Sequence, residues 1–145
     1  MTMRPKAARS VLKKKIEAAL AAQWGRATAD AVELELPLPI STNELWRPAG
    51  GKMIKTARYE TWFRDAGNMI NQQRAMKISG PYAMTLVINR RRTGIDLDNA
   101  VKAASDALQE NGVIENDRLA QRITLSWSDD VAGMRVTVEK WKEAA

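Results

Sequence analysis

The 145-residue sequence contains no cysteine and no histidine. The first absence excludes disulfides, thiolate-zinc sites and thiol nucleophiles. The second excludes a Ser-His-Asp triad, an imidazole general base and the H-E-x-x-H metalloprotease arrangement. Hydrolytic chemistry in this chain must therefore rest on carboxylates, on lysine, or on a metal held by oxygen. Long apolar runs are missing as well: none approaches the roughly 18–20 residues needed to span a bilayer. Met1-Thr2-Met3-Arg4 leads into charge rather than into a signal-peptide apolar stretch, so a cytoplasmic protein is expected. What is present is enough apolar material, 45% of residues, for one core in about one domain.

The formal charge of +6 points to a polyanionic partner, and its placement is uneven. Residues 1–30 carry seven Lys or Arg against Glu17 and Asp30, a net +5, which leaves +1 for the other 115 residues. We read 1–30 as a basic helical leader and 31–145 as the folded domain. Within the leader, Leu12, Ile16, Leu20 and Trp24 recur at helical spacing over Ser10 to Trp24, and Gly25 is a stop. Lys13-Lys14-Lys15 reads either as an arm on DNA phosphates or as the solvated face of a packed helix.

Val32-Glu33-Leu34-Glu35-Leu36 alternates as a half-buried strand does, and Pro37 and Pro39 end it. Residues 40–56, with a Gly50-Gly51 pair, read as a long mobile loop. Tyr59, Trp62, Phe63, Ala66, Ile70 and Gln73 then trace one face of a helix running to about Met76. Tyr82 to Ile88 is a strand with both faces partly apolar, hence central. A second helix is expected from about Asn99 to Asn111, closed by Gly112. Leu119 to Trp127 and Met134 to Val138 supply two more strands, paired as a hairpin. The expectation is an α+β fold: a single mixed sheet of about four strands in the order β-α-β-α-β-β, with helices packed on it and an N-terminal helix in front.

The chemistry centres on Asp96-Leu97-Asp98-Asn99, after the Arg90-Arg91-Arg92 triplet. With residues 96–98 extended, the two aspartates point the same way, roughly 6–7 Å apart at Cα, within reach of one hard cation such as Mg²⁺. Asp98 also stands where the next helix wants an N-cap. Lys102 lies one helical turn beyond Asp98, and Asp106 one turn further on the same face. Lys102 reads either as the partner neutralising an aspartate or as a cation donating to phosphate oxygens during in-line attack. Phosphodiester hydrolysis needs a metal, carboxylates and cationic side chains, and needs neither His nor Cys.

Asp96-Leu97-Asp98-Asn99, Lys102-Ala103-Ala104, Asp106-Ala107-Leu108, Gly112 and Asp117 together resemble the RusA family of Holliday junction resolvases. Leu36-Pro37-Leu38-Pro39-Ile40-Ser41-Thr42-Asn43 resembles that family's N-terminal Leu-Pro…Pro-x-Ser-x-Asn segment, and the likeness runs from about Val32 to Trp141. The resemblance implies that Asp96, Asp98 and Asp117 bind the catalytic Mg²⁺, with Mn²⁺ as a substitute, and that Lys102 is the catalytic lysine. It also implies a homodimer that makes two symmetric nicks in a four-way DNA junction during recombination and repair. Asp106 is expected to hold the Lys102 rotamer. Ile95 departs from the family, where basic residues often precede the first aspartate, so fewer phosphate contacts are expected there.

A helix over 99–111 is about 20 Å long, and segment 112–117 spans at most about 20 Å. Asp117 can therefore return along the helix in the same subunit, or it can come from the dimer mate. Arg90, Arg91, Arg92, Asn99, Arg47, Lys52 and Lys55 are the candidate DNA contacts. Ser41 and Asn43 are read as turn-forming support. Trp46 reads either as a base-stacking wedge or as core, whereas Trp62 and Trp127 are expected in the core. Two alternatives to the resolvase stay open: a non-catalytic nucleic-acid-binding module, and a nuclease for other branched DNA.

Overall fold

The computed structural model describes residues 26–92 and 94–143. The helix expected over Ser10 to Trp24, with its lysine run, lies outside the described residues. The elements are β1 (Ala31–Leu36), β2 (Trp46–Ala49), β3 (Lys52–Lys55), α1 (Ala57–Gln72), β4 (Tyr82–Ile88), α2 (Val101–Glu110), β5 (Ala120–Trp127) and β6 (Met134–Lys140). Short 3-10 turns occupy Thr42–Glu44, Arg90–Arg92, Leu97–Ala100 and Asp117–Leu119. The α+β class and the mixed four-stranded sheet are as expected, in the strand order β1-β6-β4-β5.

The sheet is built on β4. Tyr82, Met84, Leu86 and Ile88 are buried at every second position, as the two-residue period of a strand requires. β4 pairs parallel with β5 and antiparallel with β6, and β6 in turn pairs antiparallel with β1. The expected hairpin of the last two strands is therefore not formed: β6 lies on the far side of β4 from β5. Alternation cannot reveal this, because it assigns faces and not neighbours. The connection crosses the C-terminal end of β4, where buried Asn89 holds it. Asn89 Nδ2 donates to the Val131 carbonyl at 2.8 Å, and Asn89 N donates to the Gly133 carbonyl at 2.9 Å.

Both helices pack on the face carrying Met84 and Leu86. α1 buries Tyr59, Trp62, Ala66 and Ile70, and Thr56 caps it by accepting from Tyr59 N. α2 buries Ala103, Ala104, Ala107 and Leu108, and the three alanines let its backbone sit close to its neighbours. Trp62 is core as expected, with Nε1 donating to the Leu38 carbonyl at 2.7 Å, and Trp127 packs half-buried against the same core. α1 ends earlier than expected, at Gln72. Gln73 instead faces β1, accepting from Glu35 N and donating to Glu35 O, both at 2.8 Å. Its amide thus satisfies part of a strand edge that no strand among the described residues covers.

The expected loop over 40–56 is also corrected, since it contains the β2–β3 hairpin. Gly50 (φ 57°) and Gly51 (φ 78°) both adopt the positive φ that a two-residue hairpin turn requires. Arg26, counted with the basic leader, has a structural part. It donates to the Asn111 carbonyl at 2.8 Å and the Ala75 carbonyl at 3.0 Å, and it also bonds the Asn71 side chain. A cation at these carbonyls complements the helix ends.

Glu115 joins the turn before β4 to the segment after α2. It accepts from Gly80 N at 2.5 Å and pairs with Lys77 at 3.5 Å. The Gly80 N–H, then the Lys77 charge, hold its carboxyl below the ordinary value of 4.5. A depressed carboxyl contributes stability that is present above its unfolded pKa and lost as pH falls through the folded one. Thermal unfolding of wild type should therefore lose stability as pH drops below about 4.5, and Glu115→Gln should lack that part of the slope. Identical slopes in the two proteins would exclude the contact.

Candidate active site

The site forms where α2, the 3-10 turn before it and the 3-10 turn before β5 meet. Lys102 stands in the first turn of α2, and its Nζ lies 3.0 Å from Asp106 Oδ1 and 3.6 Å from Asp117 Oδ2. The i,i+4 spacing puts Lys102 and Asp106 on one helix face, which is the support role expected for Asp106. Asp117 returns along α2 within the same chain, and its backbone N–H donates to Gln109 Oε1 at 2.9 Å. The Asp106 hydrogen bond, with Coulombic help from Asp106 and Asp117, raises the Lys102 pKa above its ordinary 10.5 despite partial desolvation. Lys102 is therefore an ammonium at neutral pH.

The Asp96–Asp98 segment differs from the extended form expected. Asp96 is extended, but Leu97–Ala100 turns at once into a 3-10 helix that runs straight into α2. Asn99 N donates to the Asp96 carbonyl at 3.1 Å, and Thr42 Oγ1 donates to the Asn99 carbonyl at 3.0 Å. The N-cap position of α2 is thus Ala100 rather than Asp98, and Asp96 makes no side-chain capping bond. Both aspartates are exposed, and among the described residues neither carboxylate has a hydrogen-bond or ion-pair partner. These are free hard-oxygen donors of the kind Mg²⁺ takes. Asp117 is half-buried and engaged by Lys102. Among the described residues, no three acidic side chains stand together as a ready metal cage.

The basic candidates divide into two groups. Arg47 and Lys52 are exposed on the β2–β3 hairpin. Lys55 instead folds back, with Nζ 4.4 Å from the Phe63 ring centroid and 5.6 Å from that of Tyr59. Arg90 lies 5.6 Å from the Trp127 ring, and Arg91 pairs with Asp129 at 3.4 Å. The Arg92 side chain lies outside the described residues. Ser41 Oγ accepts from Asn43 N at 3.3 Å, the turn role expected of that pair. Trp46 is 42% exposed, with its ring edge-on to Tyr59 at 6.2 Å.

Sequence reasoning missed Tyr59, Tyr82 and Gln109. Tyr59 was read as core, and its ring is core. Its hydroxyl, however, donates to Asp106 Oδ2 at 3.0 Å, and burial, then Asp106, raises its pKa far above the ordinary 10.0. The available signal was that a tyrosine on a buried helix face needs a polar partner. Tyr82 is fully buried, and its hydroxyl has no hydrogen-bond partner among the described residues. Burial, followed by the Asp117 charge, pushes its phenol up to about 12.

Residues 37–139 match the family model described as Endodeoxyribonuclease RusA. The chain is also similar to the Crossover junction endodeoxyribonuclease RusA of Aquifex aeolicus (strain VF5). The two are 35% identical over 88 residues, which cover 59% of this chain and 68% of that protein. The residues matched by the family model, 37–139, include Asp96, Asp98, Lys102, Asp106 and Asp117.

A buried hydroxyl without a partner costs on the order of 1–3 kcal/mol. Tyr82→Phe should therefore leave the unfolding free energy unchanged or raise it, as measured by urea denaturation. A loss above about 1 kcal/mol would show that the hydroxyl is bonded.

Proposed function

The chain belongs to the RusA family of endodeoxyribonucleases, and on that premise we propose that it resolves four-way (Holliday) DNA junctions by paired symmetric nicks. The observation that carries this reading is the arrangement around Lys102. An ammonium is held in place on α2 between Asp106 and Asp117, while the Asp96 and Asp98 carboxylates are exposed and, among the described residues, without a partner. Asp96 and Asp98 would hold Mg²⁺, or Mn²⁺ in its place; Asp117 would join them only by giving up its contact with Lys102 and moving closer, since the three do not stand together among the described residues. When bound, such an ion lowers the pKa of a water and offsets charge on the attacking and leaving oxygens.

The chain's own residues supply the rest. Lys102 donates to a phosphate oxygen as its charge grows, a role suited to a preorganised cation. For this it exchanges part of its contact with Asp117, while Asp106 keeps the side chain aimed. Arg47 and Lys52 on the hairpin, together with Arg90, Arg91, Arg92 and Asn99, would draw in and orient the DNA backbone. The nicks leave 5′-phosphate and 3′-hydroxyl ends that can be religated. The catalytic domain spans 31–145 behind a basic leader, and a DNA substrate places the protein in the cytoplasm, at the nucleoid. No helix among the described residues is long and apolar enough to cross a membrane.

Paired cuts call for a homodimer, and β5 supplies a surface that suits one. It is the sheet's end strand, with a free edge among the described residues. Its register with β4 sets Ile123, Leu125 and Trp127 on the core side, yet Ile123 is 41% exposed. Open edges of this kind are normally covered. Antiparallel self-pairing centred on Thr124 would set Ile123 against Leu125 and Arg122 against Ser126, so no like charges meet.

Wild-type protein should cut a four-way junction with Mg²⁺, and chelation should stop it. Asp98→Asn should lose on the order of 10²-fold or more in cutting while still binding the junction. Binding without cutting by either protein would identify a nucleic-acid-binding module instead, and preferred cutting of flaps or forks would identify a different branched-DNA nuclease. Separately, Ile123→Lys should convert a dimer to monomers in sedimentation equilibrium. An intact dimer in that variant would move the interface elsewhere.

A further inference from the structure

Lys102 is fixed from behind by a residue outside the carboxylate motif. A lysine side chain has many rotamers to lose. A partly exposed ion pair alone offsets that loss poorly. The Lys102 and Asp106 side chains are 47% and 24% exposed, so their pairing alone does not specify one position for the ammonium. A further constraint acts on Asp106: its Oδ1 takes Lys102 Nζ at 3.0 Å, and its Oδ2 accepts from the Tyr59 hydroxyl at 3.0 Å. With both oxygens engaged from different directions, the carboxylate is confined to a single rotamer.

Tyr59 suits this task because it cannot move. It is fully buried, and its backbone N–H donates to the capping Thr56 Oγ1 at 3.1 Å. That hydroxyl in turn donates to the Glu44 carbonyl at 2.7 Å. The Tyr59 ring is enclosed by Trp46, Trp62 and Phe63, with centroids 6.2, 6.4 and 5.7 Å away. A rigid buried phenol thus transmits its fixed position through a carboxylate to a flexible ammonium.

We propose that Tyr59 is a positioning residue for the nuclease reaction, acting on Lys102 through Asp106. The proposal rests on the reading that Lys102 works at the scissile phosphate. Removing only the hydroxyl, in Tyr59→Phe, keeps the ring and its packing while freeing Asp106 to turn toward solvent. Lys102 then samples several rotamers, and the chemical step slows while DNA binding does not.

The test is a double-mutant cycle on the full chain, read by single-turnover cleavage of a four-way junction with Mg²⁺. Tyr59→Phe should lower the cleavage rate constant about 10-fold, with junction Kd within about twofold. In a Lys102→Ala background the same change should have no further effect, because its route of action is gone. The same 10-fold factor in both backgrounds would overturn the proposal, as would a wild-type rate in Tyr59→Phe. Asp106→Asn, which keeps the side-chain volume, should likewise be non-additive with Tyr59→Phe, and additivity of that pair would also overturn it.

A separate measurement stands apart from cleavage. The two Lys102 ε-methylene protons should be inequivalent by NMR in the wild type and should merge toward one averaged resonance in Tyr59→Phe. Retained inequivalence would overturn the positioning role. Failure of wild type to cut would instead remove the resolvase reading, and full activity of Lys102→Ala would remove the role of Lys102 at the phosphate, with the NMR result still deciding whether Tyr59 holds the lysine.

Discussion

The site depends on one ammonium held between two carboxylates. Lys102, Asp106 and Asp117 join the start of α2 to the turn that begins β5. Each contact is partly exposed, and such pairs taken singly add little stability. What defines the arrangement is that each acid is held from elsewhere. Asp106 is fixed by the buried Tyr59 hydroxyl, and the Asp117 backbone is fixed by Gln109 on the last turn of α2. Because the Lys102 pKa is raised, its pairing is present through neutral pH and is lost only as pH rises above the ordinary 10.5.

The fold makes this meeting possible through the β4–α2–β5 crossover. Parallel strands need a long connection, and here that connection is the helix carrying Lys102. α2 runs back along the sheet, so its C-terminal end approaches the point where β5 must start. Asp117 lies in that return and is bonded to Gln109 on the way. The same crossover leaves β5 as an end strand, because β6 passes to the other side of β4 over the Asn89 anchor. The geometry of the site and the open strand edge therefore have a common origin.

Much of this was legible in the residue pattern, and the gaps have identifiable causes. Alternation placed the buried faces of β1, β4 and β6, and two-sided apolarity correctly made β4 central. Alternation carries no information about neighbours, so the supposed β5–β6 pairing was wrong. The β2–β3 hairpin was hidden because its strands are short, mostly exposed and interrupted by Pro48. The Lys102–Asp106 pair follows from helical spacing, whereas segment length only permits the return of Asp117 within the chain and leaves the dimer mate as an alternative. The turn at Leu97–Ala100 is different. It depends on Thr42, 57 residues from Asn99, bonding the Asn99 carbonyl, and so could not be read locally. The Tyr59 hydroxyl belongs to the same class, since its partner is on another helix.

The two missing residue types explain why so much of the structure holds one lysine still. An imidazole near its pKa can give and take protons at neutral pH, and this chain has none. Lys102, with its pKa raised, is a poor proton acceptor there, so the contribution proposed for it in phosphodiester chemistry would be electrostatic. Electrostatic stabilisation depends on where a charge sits rather than on when it titrates. A preorganised ammonium also needs no reorganisation as charge develops, whereas a freely rotating one must first be oriented. That difference gives a chemical reason for a buried tyrosine to donate to Asp106, an acid that need not touch the substrate.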